Sequence, residues 1–130
     1  LKNTILLFLG GFLVVVIAII AVGGSGKVLA TWKQPITLNY NSYGPYNLSV
    51  VEKGRIWNTL GNYRYYSIII SADSNSAYGH SKYYSFTQSA NEVQVYLQDC
   101  EVKWDDSGVT FIEPTGHILY FPTKAFIGGR

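Results

Sequence analysis

A run of nineteen uncharged residues, Thr4–Val22, constrains this chain more than any other feature. It reads TILLFLGGFLVVVIAIIAV, and the glycine-rich residues 23–26 follow it at once. A helix rises about 1.5 Å per residue, so the run extends roughly 28 Å, close to the thickness of the hydrocarbon core of a bilayer. Surface helices of soluble domains have a polar face, and this run has none. The sequence therefore predicts a single transmembrane helix.

The predicted organisation has three parts: an anchor helix (residues 1–22), a glycine-rich joint (23–27) and a membrane-surface β domain (28–130). The third part has the ordinary size of one small domain. The formal net charge of +2 is too small to indicate a nucleic-acid partner. Cys100 has no second cysteine to pair with in the chain, so burial and sheet pairing must hold the core.

The apolar run also has features of a cleavable signal peptide, with Lys2 before it and small residues at 21–23. It is longer than a signal-peptide core of about seven to fifteen residues, so we expect an uncleaved bacterial signal-anchor in the inner membrane. Lys27 and Lys33 beyond the helix favour a cytoplasmic β domain. The short amino-terminal tail and the many Tyr, Asn and Ser residues favour the other side, and we expect the domain to be extracytoplasmic.

One face of the predicted helix carries small side chains. With about 100° of turn per residue, they share one third of the helix circumference; they are Gly10, Gly11, Ala18, Ala21 and Thr4. Small residues allow helices in lipid to approach closely, so this face predicts packing against another transmembrane subunit. Small residues are also common in membrane helices, and a chance cluster is the alternative.

Lys27 and Trp32 come directly after the joint, where ammonium groups and indole rings commonly lie at the membrane interface. We expect both at that interface. Trp32 fits equally well as a core residue of the first strand.

From Val28 onward, short β-prone runs alternate with turn residues. Residues 63–71, YRYYSIIIS, form the strongest predicted strand of the first half, and they lack clean alternation, which favours the centre of a sheet covered on both faces. The alternation of Val93, Val95 and Leu97 with polar residues predicts a half-buried strand. Its phase changes at residues 98–99, which predicts a β-bulge or a break there.

An antiparallel meander is predicted for the carboxy-terminal part. Residues 105–108 form a hairpin turn in which Gly108 is available for a positive φ angle, and strands at 109–112 and 118–121 follow, with a turn or short helix at 123–126. The fold class is thus a mostly antiparallel β domain, a sandwich or partly open barrel. The segment GVTFIEPTGHILYFPTKAF resembles bacterial PH-like domains carried on membrane anchors, and the resemblance implies antiparallel strands with a short apolar segment after a proline.

The residues suited to catalysis or metal binding do not form a recognisable motif. Neither His80 nor His117 has a second His or Cys at ligand spacing, so we expect no metal and no other cofactor. Carboxylates near Cys100 flank a strand and a turn, where they ordinarily face water; they are Asp99, Glu101, Asp105 and Asp106. Cys100 shares a face with apolar residues and is predicted to be a buried structural thiol. The sequence predicts no enzyme.

Eleven tyrosines are more than a core of this size requires. Tyr40, Tyr43 and Tyr46 fall in a predicted loop, and Tyr78 falls in another. Tyrosine offers a large rigid surface and a hydroxyl group at small entropic cost, so these four are predicted partner contacts. Glycan stacking and simple sheet packing are the alternatives.

Together these features predict a non-enzymatic single-pass membrane protein, an accessory or structural subunit of a larger membrane complex. Its partners would be other transmembrane subunits and the lipid bilayer. The alternative is a membrane-anchored extracytoplasmic module that binds a glycan or a peptide, and a small anchored enzyme ranks third.

Overall fold

The computed structural model describes residues 1–23, 26–53, 65–72, 79–84 and 92–128. In chain order its elements are α1 (Lys2–Gly23), β1 (Lys27–Lys33), β2 (Asn47–Lys53), β3 (Tyr65–Ser71), β4 (His80–Tyr84), α2 (Val93–Gln98), β5 (Glu101–Asp105), β6 (Gly108–Ile112), β7 (Ile118–Pro122) and α3 (Thr123–Phe126).

Helix α1 contains 22 residues and covers the predicted apolar run. The structure describes its side chains as far as Ala18. Within the described part of the chain, no helix combines the length and the apolar character needed to cross a membrane. The predicted transmembrane span of Thr4–Val22 is therefore not confirmed, whereas an N-terminal helix followed by a mostly antiparallel β domain is confirmed.

Strands β1 to β4 form an antiparallel sheet in the order β1-β2-β3-β4. The interior strand β3 pairs Ile70 with Leu48 on one side and with His80 on the other. Successive residues of β3 point to opposite faces, yet Ile68, Ile69 and Ile70 are all buried. The prediction of a strand covered on both faces is confirmed for residues 66–71, whose burial the structure describes.

Strands β5, β6 and β7 form the predicted meander as a second antiparallel sheet. The turn between β5 and β6 joins Asp105 to Gly108, and the φ angle of Gly108 is not positive, contrary to expectation. Glycine is required there for space, because an added Cβ would lie 2.2 Å from the carbonyl oxygen of Phe121. The positive φ angle occurs in the next turn, at Gly116 (87°).

The strand predicted around Val93, Val95 and Leu97 is wrong, since these residues belong to helix α2. Val93 and Leu97 are four residues apart, lie on the same helix face and are buried, whereas Val95 is 63% exposed. The apolar pattern of this short segment fits both periodicities. The phase change at residues 98–99 marks the end of a helix, not a bulge within a strand.

The two sheets and both short helices share one hydrophobic core. It is built from apolar side chains of every one of these layers: Tyr46, Leu48, Val50, Tyr66, Ile68, Ile70, Val93, Leu97, Cys100, Val109, Phe111, Phe121 and Phe126. The Trp32 ring of β1 meets Phe111 of β6 edge to face, with ring centroids 5.7 Å apart. Residues 63 and 64 of the predicted strand and Tyr78 of the second predicted loop lie outside the described residues.

Candidate functional site

Apolar side chains surround the described part of α1. Ile5, Leu6, Leu7 and Phe8 are each at least 53% exposed, and four successive residues complete one helical turn. The successive residues 12–15 repeat this exposure about two turns further on. In the described part of α1, large apolar side chains are therefore exposed around the helix.

A groove runs along one side of α1. It is lined by Thr4, Leu7, Phe8, Gly11, Phe12 and Val15. A Cβ added at Gly11 would meet no atom within 4 Å, and the missing side chain leaves a gap beside the two phenylalanine rings. We call these six residues the helix groove.

The helix groove contains two of the five residues predicted for helix packing, Thr4 and Gly11. Gly10 and Ala18 are exposed on α1 but do not line the groove, and the side chain of Ala21 lies outside the described residues. The small-residue pattern therefore identifies part of this surface, while the bulky walls come from neighbouring residues.

The predicted contact tyrosines have different environments. Tyr46 is 3% exposed and packs edge to face on Phe126 at 5.2 Å, so its ring belongs to the core. Tyr40 also packs on Phe126, and its hydroxyl donates a hydrogen bond of 2.7 Å to the carbonyl of Asp105. Tyr43 is 81% exposed, whereas Tyr78 lies outside the described residues.

Gln34 holds the loop of residues 34–46 in shape. Its side-chain oxygen accepts a hydrogen bond of 2.9 Å from the backbone of Tyr46, and its Nε2 donates one of 2.6 Å to the carbonyl of Leu38. The loop encloses a cleft of about 340 Å³, and Ile36 beside it is fully exposed. A fixed loop with exposed Ile36 and Tyr43 is suited to contact another molecule.

A buried carboxylate is the strongest concentration of polar chemistry among the described residues. Glu113 is 6% exposed and accepts hydrogen bonds from the hydroxyls of Tyr84 and Tyr96 and from Nδ1 of His117. The Tyr96 contact measures 2.8 Å and the His117 contact 2.9 Å. The His117 ring stacks on Tyr84 at 5.6 Å. We call these four residues the glutamate cluster.

The glutamate cluster joins three parts of the fold. Tyr84 ends β4, Tyr96 lies in α2, and Glu113 and His117 bracket the turn between β6 and β7. Burial, followed by the Glu113 hydrogen bond and charge, raises the pKa of Tyr84 well above its ordinary range. Burial also raises the pKa of Tyr96. Both hydroxyls therefore stay protonated and act as donors to Glu113.

Sequence reasoning missed Glu113, because a glutamate before a proline in a turn ordinarily faces water. The available signal was its spacing of four residues from His117 across a Pro-Thr-Gly turn. The structure shows that the backbone amide of Glu113 donates to the carbonyl of His117 at 2.9 Å, which closes the hairpin and brings the two side chains together.

Cys100 and the neighbouring carboxylates do not form a catalytic arrangement in the described residues. Cys100 is 8% exposed, and burial, followed by the charges of Glu113 and Asp99, raises its pKa to about 11. Asp105 accepts a hydrogen bond from the hydroxyl of Ser107, which contributes most to lowering its pKa, and further bonds from the amides of Ser107 and Gly108 at 2.7 and 3.1 Å. Asp99, Glu101 and Asp106 are exposed.

Neither histidine belongs to a group of metal ligands among the described residues. His80 faces the ring of Phe121 at 6.1 Å, and His117 belongs to the glutamate cluster. Among the described residues, no three His, Cys, Asp or Glu side chains are grouped so that they can hold a metal ion.

The residues predicted at the membrane interface lie on β1. Lys27 is exposed at the start of the strand, and Trp32 is partly buried against Phe111. Of the two roles considered for Trp32, its contacts favour the core of the β domain.

Comparison with protein families, with characterised proteins and with solved structures finds no significant similarity to this chain.

Proposed function

We propose that this protein is a non-enzymatic accessory subunit of a membrane protein complex in the inner membrane of a bacterium. Helix α1 holds the chain at the membrane and docks through the helix groove against an apolar helix of another subunit. The β domain lies on the extracytoplasmic side and contacts the complex through the loop of residues 34–46.

The main support for this proposal is the exposure of apolar side chains on α1. Large apolar side chains lie open over two turns, and a groove opens beside Gly11. Helices in lipid associate by close van der Waals packing where a small residue lets the backbones approach. A facing helix that places one side chain over Gly11, between Phe8 and Phe12, would fill the groove.

Co-purification of the full chain from its native membrane in a mild detergent tests the proposal. Gly11→Leu fills the groove and is expected to reduce the yield of the complex about tenfold, which corresponds to about 1.4 kcal/mol of association energy. Gly10→Leu is the matched control, because it makes the same change one residue outside the groove and alters helix propensity equally.

A stoichiometric complex that survives Gly10→Leu and is lost in Gly11→Leu supports docking through the helix groove. Equal yields of the complex for both variants contradict it. Release of the protein from membranes by alkaline carbonate contradicts a firm hold by α1.

The side of the membrane is tested separately with an impermeant thiol reagent on intact cells. Lys103 has an exposed side chain (59%) on β5, so Lys103→Cys in a Cys100→Ser background provides a single accessible thiol. Labelling before lysis is expected. Labelling only after lysis would place the β domain in the cytoplasm.

A membrane-anchored binding module is the second candidate, and the cleft inside the loop of residues 34–46 favours it. The cleft is lined by Gln34, Tyr40 and Ser42 together with apolar side chains, a mixture suited to a sugar or a peptide. A protein that purifies alone and binds a glycan or peptide, with loss of binding in Ser42→Leu, would favour this function over the first.

A further inference from the structure

We propose that the outer edge of β1 and helix α2 form a binding groove for an extended peptide segment of a partner protein. The segment would add one strand to the sheet beside β1, with acidic residues at its two ends. This inference concerns the β domain and does not depend on the role of α1.

Among the described strands, β1 has a partner along only one of its edges. In the sheet order β1-β2-β3-β4, β1 pairs with β2 on one side, and none of the described strands pairs with its other side. Thr31 and Lys33 are exposed. An open edge presents backbone N–H and C=O groups that an extended chain can pair with.

The register identifies which backbone groups face outward. The amide of Gln34 donates to the carbonyl of Tyr46, and this pair continues the alignment of Trp32 with Leu48. Hydrogen-bonded and non-hydrogen-bonded pairs alternate along antiparallel strands, so the intervening residues Thr31 and Lys33 direct their N–H and C=O groups away from β2. The 3.0 Å contact between the hydroxyls of Thr31 and Ser49 fits a non-hydrogen-bonded pair, in which side chains lie closer.

A groove of about 300 Å³ lies between this edge and α2. It is lined by four successive β1 residues and by one face of α2: Leu29, Ala30, Thr31, Trp32, Gln94, Leu97 and Gln98. Side chains alternate between the two faces of a strand. Four successive residues of a strand therefore line one groove when that groove runs along the edge of the strand. Two glutamine amides on the opposite wall can bond to the backbone of an inserted strand.

The charged residues of β1 indicate which kind of peptide segment would bind beside it. Lys27 and Lys33 are exposed at the two ends of β1, which contains no acidic residue; on β2, Lys27 lies opposite Glu52 and Lys33 opposite Asn47. Gln94 and Gln98 on the opposite wall are uncharged. A segment with a carboxylate at each end would therefore place opposite charges beside both lysines.

In the register centred on Ala30, a second copy of this chain fits the groove poorly. Antiparallel pairing of two β1 strands about Ala30 would place each Lys27 opposite Lys33 of the other copy, and like charges directly opposite are unfavourable. The register shift between Val28 and Ala30 also interrupts a continuous ladder at this edge, a feature that limits self-association. The expected occupant is a foreign strand.

Binding is tested with the full chain in mild detergent and a fluorescent peptide as long as β1, with glutamates at both ends and alternating valine and threonine between them. A peptide with lysines at the ends is the charge control. We expect the glutamate peptide to bind at least about tenfold more tightly, which corresponds to about 1.4 kcal/mol. The double variant Lys27→Glu/Lys33→Glu should reverse this preference, whereas Lys124→Glu on α3 should leave it unchanged.

The backbone pairing is tested with Thr31→Pro. This change removes one outward N–H group, which the β1–β2 ladder does not use, so the sheet is expected to fold. Binding of the glutamate peptide should weaken about fivefold relative to Thr31→Ala, which also lacks the hydroxyl contact with Ser49 but keeps the N–H group.

Equal affinity for the two peptides, an unchanged preference in the double variant, or equal binding by Thr31→Pro and Thr31→Ala would each overturn the proposal. Dimers that form through β1 in the absence of peptide would overturn it as well, because the occupant would then be a second copy. Protection of the Thr31 and Lys33 amides from hydrogen exchange in the presence of the glutamate peptide supports it.

Discussion

The hydroxyl of Tyr96 donates a 2.8 Å hydrogen bond to the Glu113 carboxylate and thereby joins helix α2 to the hairpin of β6 and β7. The same carboxylate accepts from Tyr84 at the end of β4 and from His117 across the hairpin turn. A buried carboxylate costs free energy unless it is fully hydrogen-bonded, and these three donors meet that requirement. The glutamate cluster therefore connects the two sheets on one side of the domain.

We predict that Glu113→Ala lowers the free energy of unfolding by about 3 kcal/mol, because it leaves the hydroxyls of Tyr84 and Tyr96 without this acceptor. Denaturant unfolding of the full chain in detergent measures the change. Glu101→Ala is the matched control, since that carboxylate is 61% exposed, and a change within about 0.5 kcal/mol is expected. Similar losses for both variants would show that the glutamate cluster contributes little.

Tyr40 gives the domain a specific sensitivity to alkaline pH. Partial burial, followed by the charges of Asp105 and Asp106, raises its pKa from 10.0 to about 12. A folded-state pKa above the unfolded value gives stability that is complete below about pH 10 and is lost as the pH rises through 12. Tyr40→Phe should therefore be less stable than the parent near neutral pH by about 1 kcal/mol, the value of one hydrogen bond.

The difference between the parent and Tyr40→Phe should shrink as the pH rises from 10 to 12. Thermal unfolding of both proteins across this pH range measures the difference. A constant difference in unfolding temperature would contradict the assigned role of the Tyr40 hydroxyl.

Gly108 is predicted to tolerate no side chain. In Gly108→Ala the new Cβ would lie 2.2 Å from the carbonyl oxygen of Phe121 and 3.0 Å from the Cα of Pro122, so the backbone of β7 must move. The expected loss is about 2 kcal/mol or more in the free energy of unfolding. Gly128→Ala introduces its Cβ into open space and should change stability by less than about 1 kcal/mol. An equally stable Gly108→Ala protein would be inconsistent with the close approach of β6 and β7.

Cys100 is predicted to react slowly with thiol reagents. Its pKa is raised from 9.0 to about 11, so its thiolate population near pH 8 is about a hundredfold lower than that of an ordinary thiol, and its burial limits access further. The reaction rate of the parent is compared with that of Cys100→Ser/Lys103→Cys, whose thiol is exposed. Denaturant should remove the difference, and rapid labelling of native Cys100 would argue for a more open core.

The carboxy-terminal meander shows how much of the fold can be predicted from local sequence. Three strands in sequence order follow from local signals: the turn residues at 105–108, the turn around Gly116 and the apolar residues between them. The structure confirms these strands. Long-range packing decided the segment from Val93 to Leu97, because two apolar residues four positions apart share one face in a helix as well as in a strand. In the helix the Val93 and Leu97 side chains enter the core, whereas Val95, which a strand would place on the same face, stays exposed.

By itself the sequence determined the elements whose cause is local: the N-terminal helix, the β-branched central strand β3 and the turns that join the last three strands. The tertiary structure alone decided which polar and aromatic residues are buried. Tyr46 entered the core and Tyr43 remained outside, although both belong to one loop. Glu113 became buried because Tyr84 and Tyr96, distant in sequence, bring donors to its carboxylate. Burial of a polar group depends on partners that the fold assembles, and residue type and spacing do not specify them.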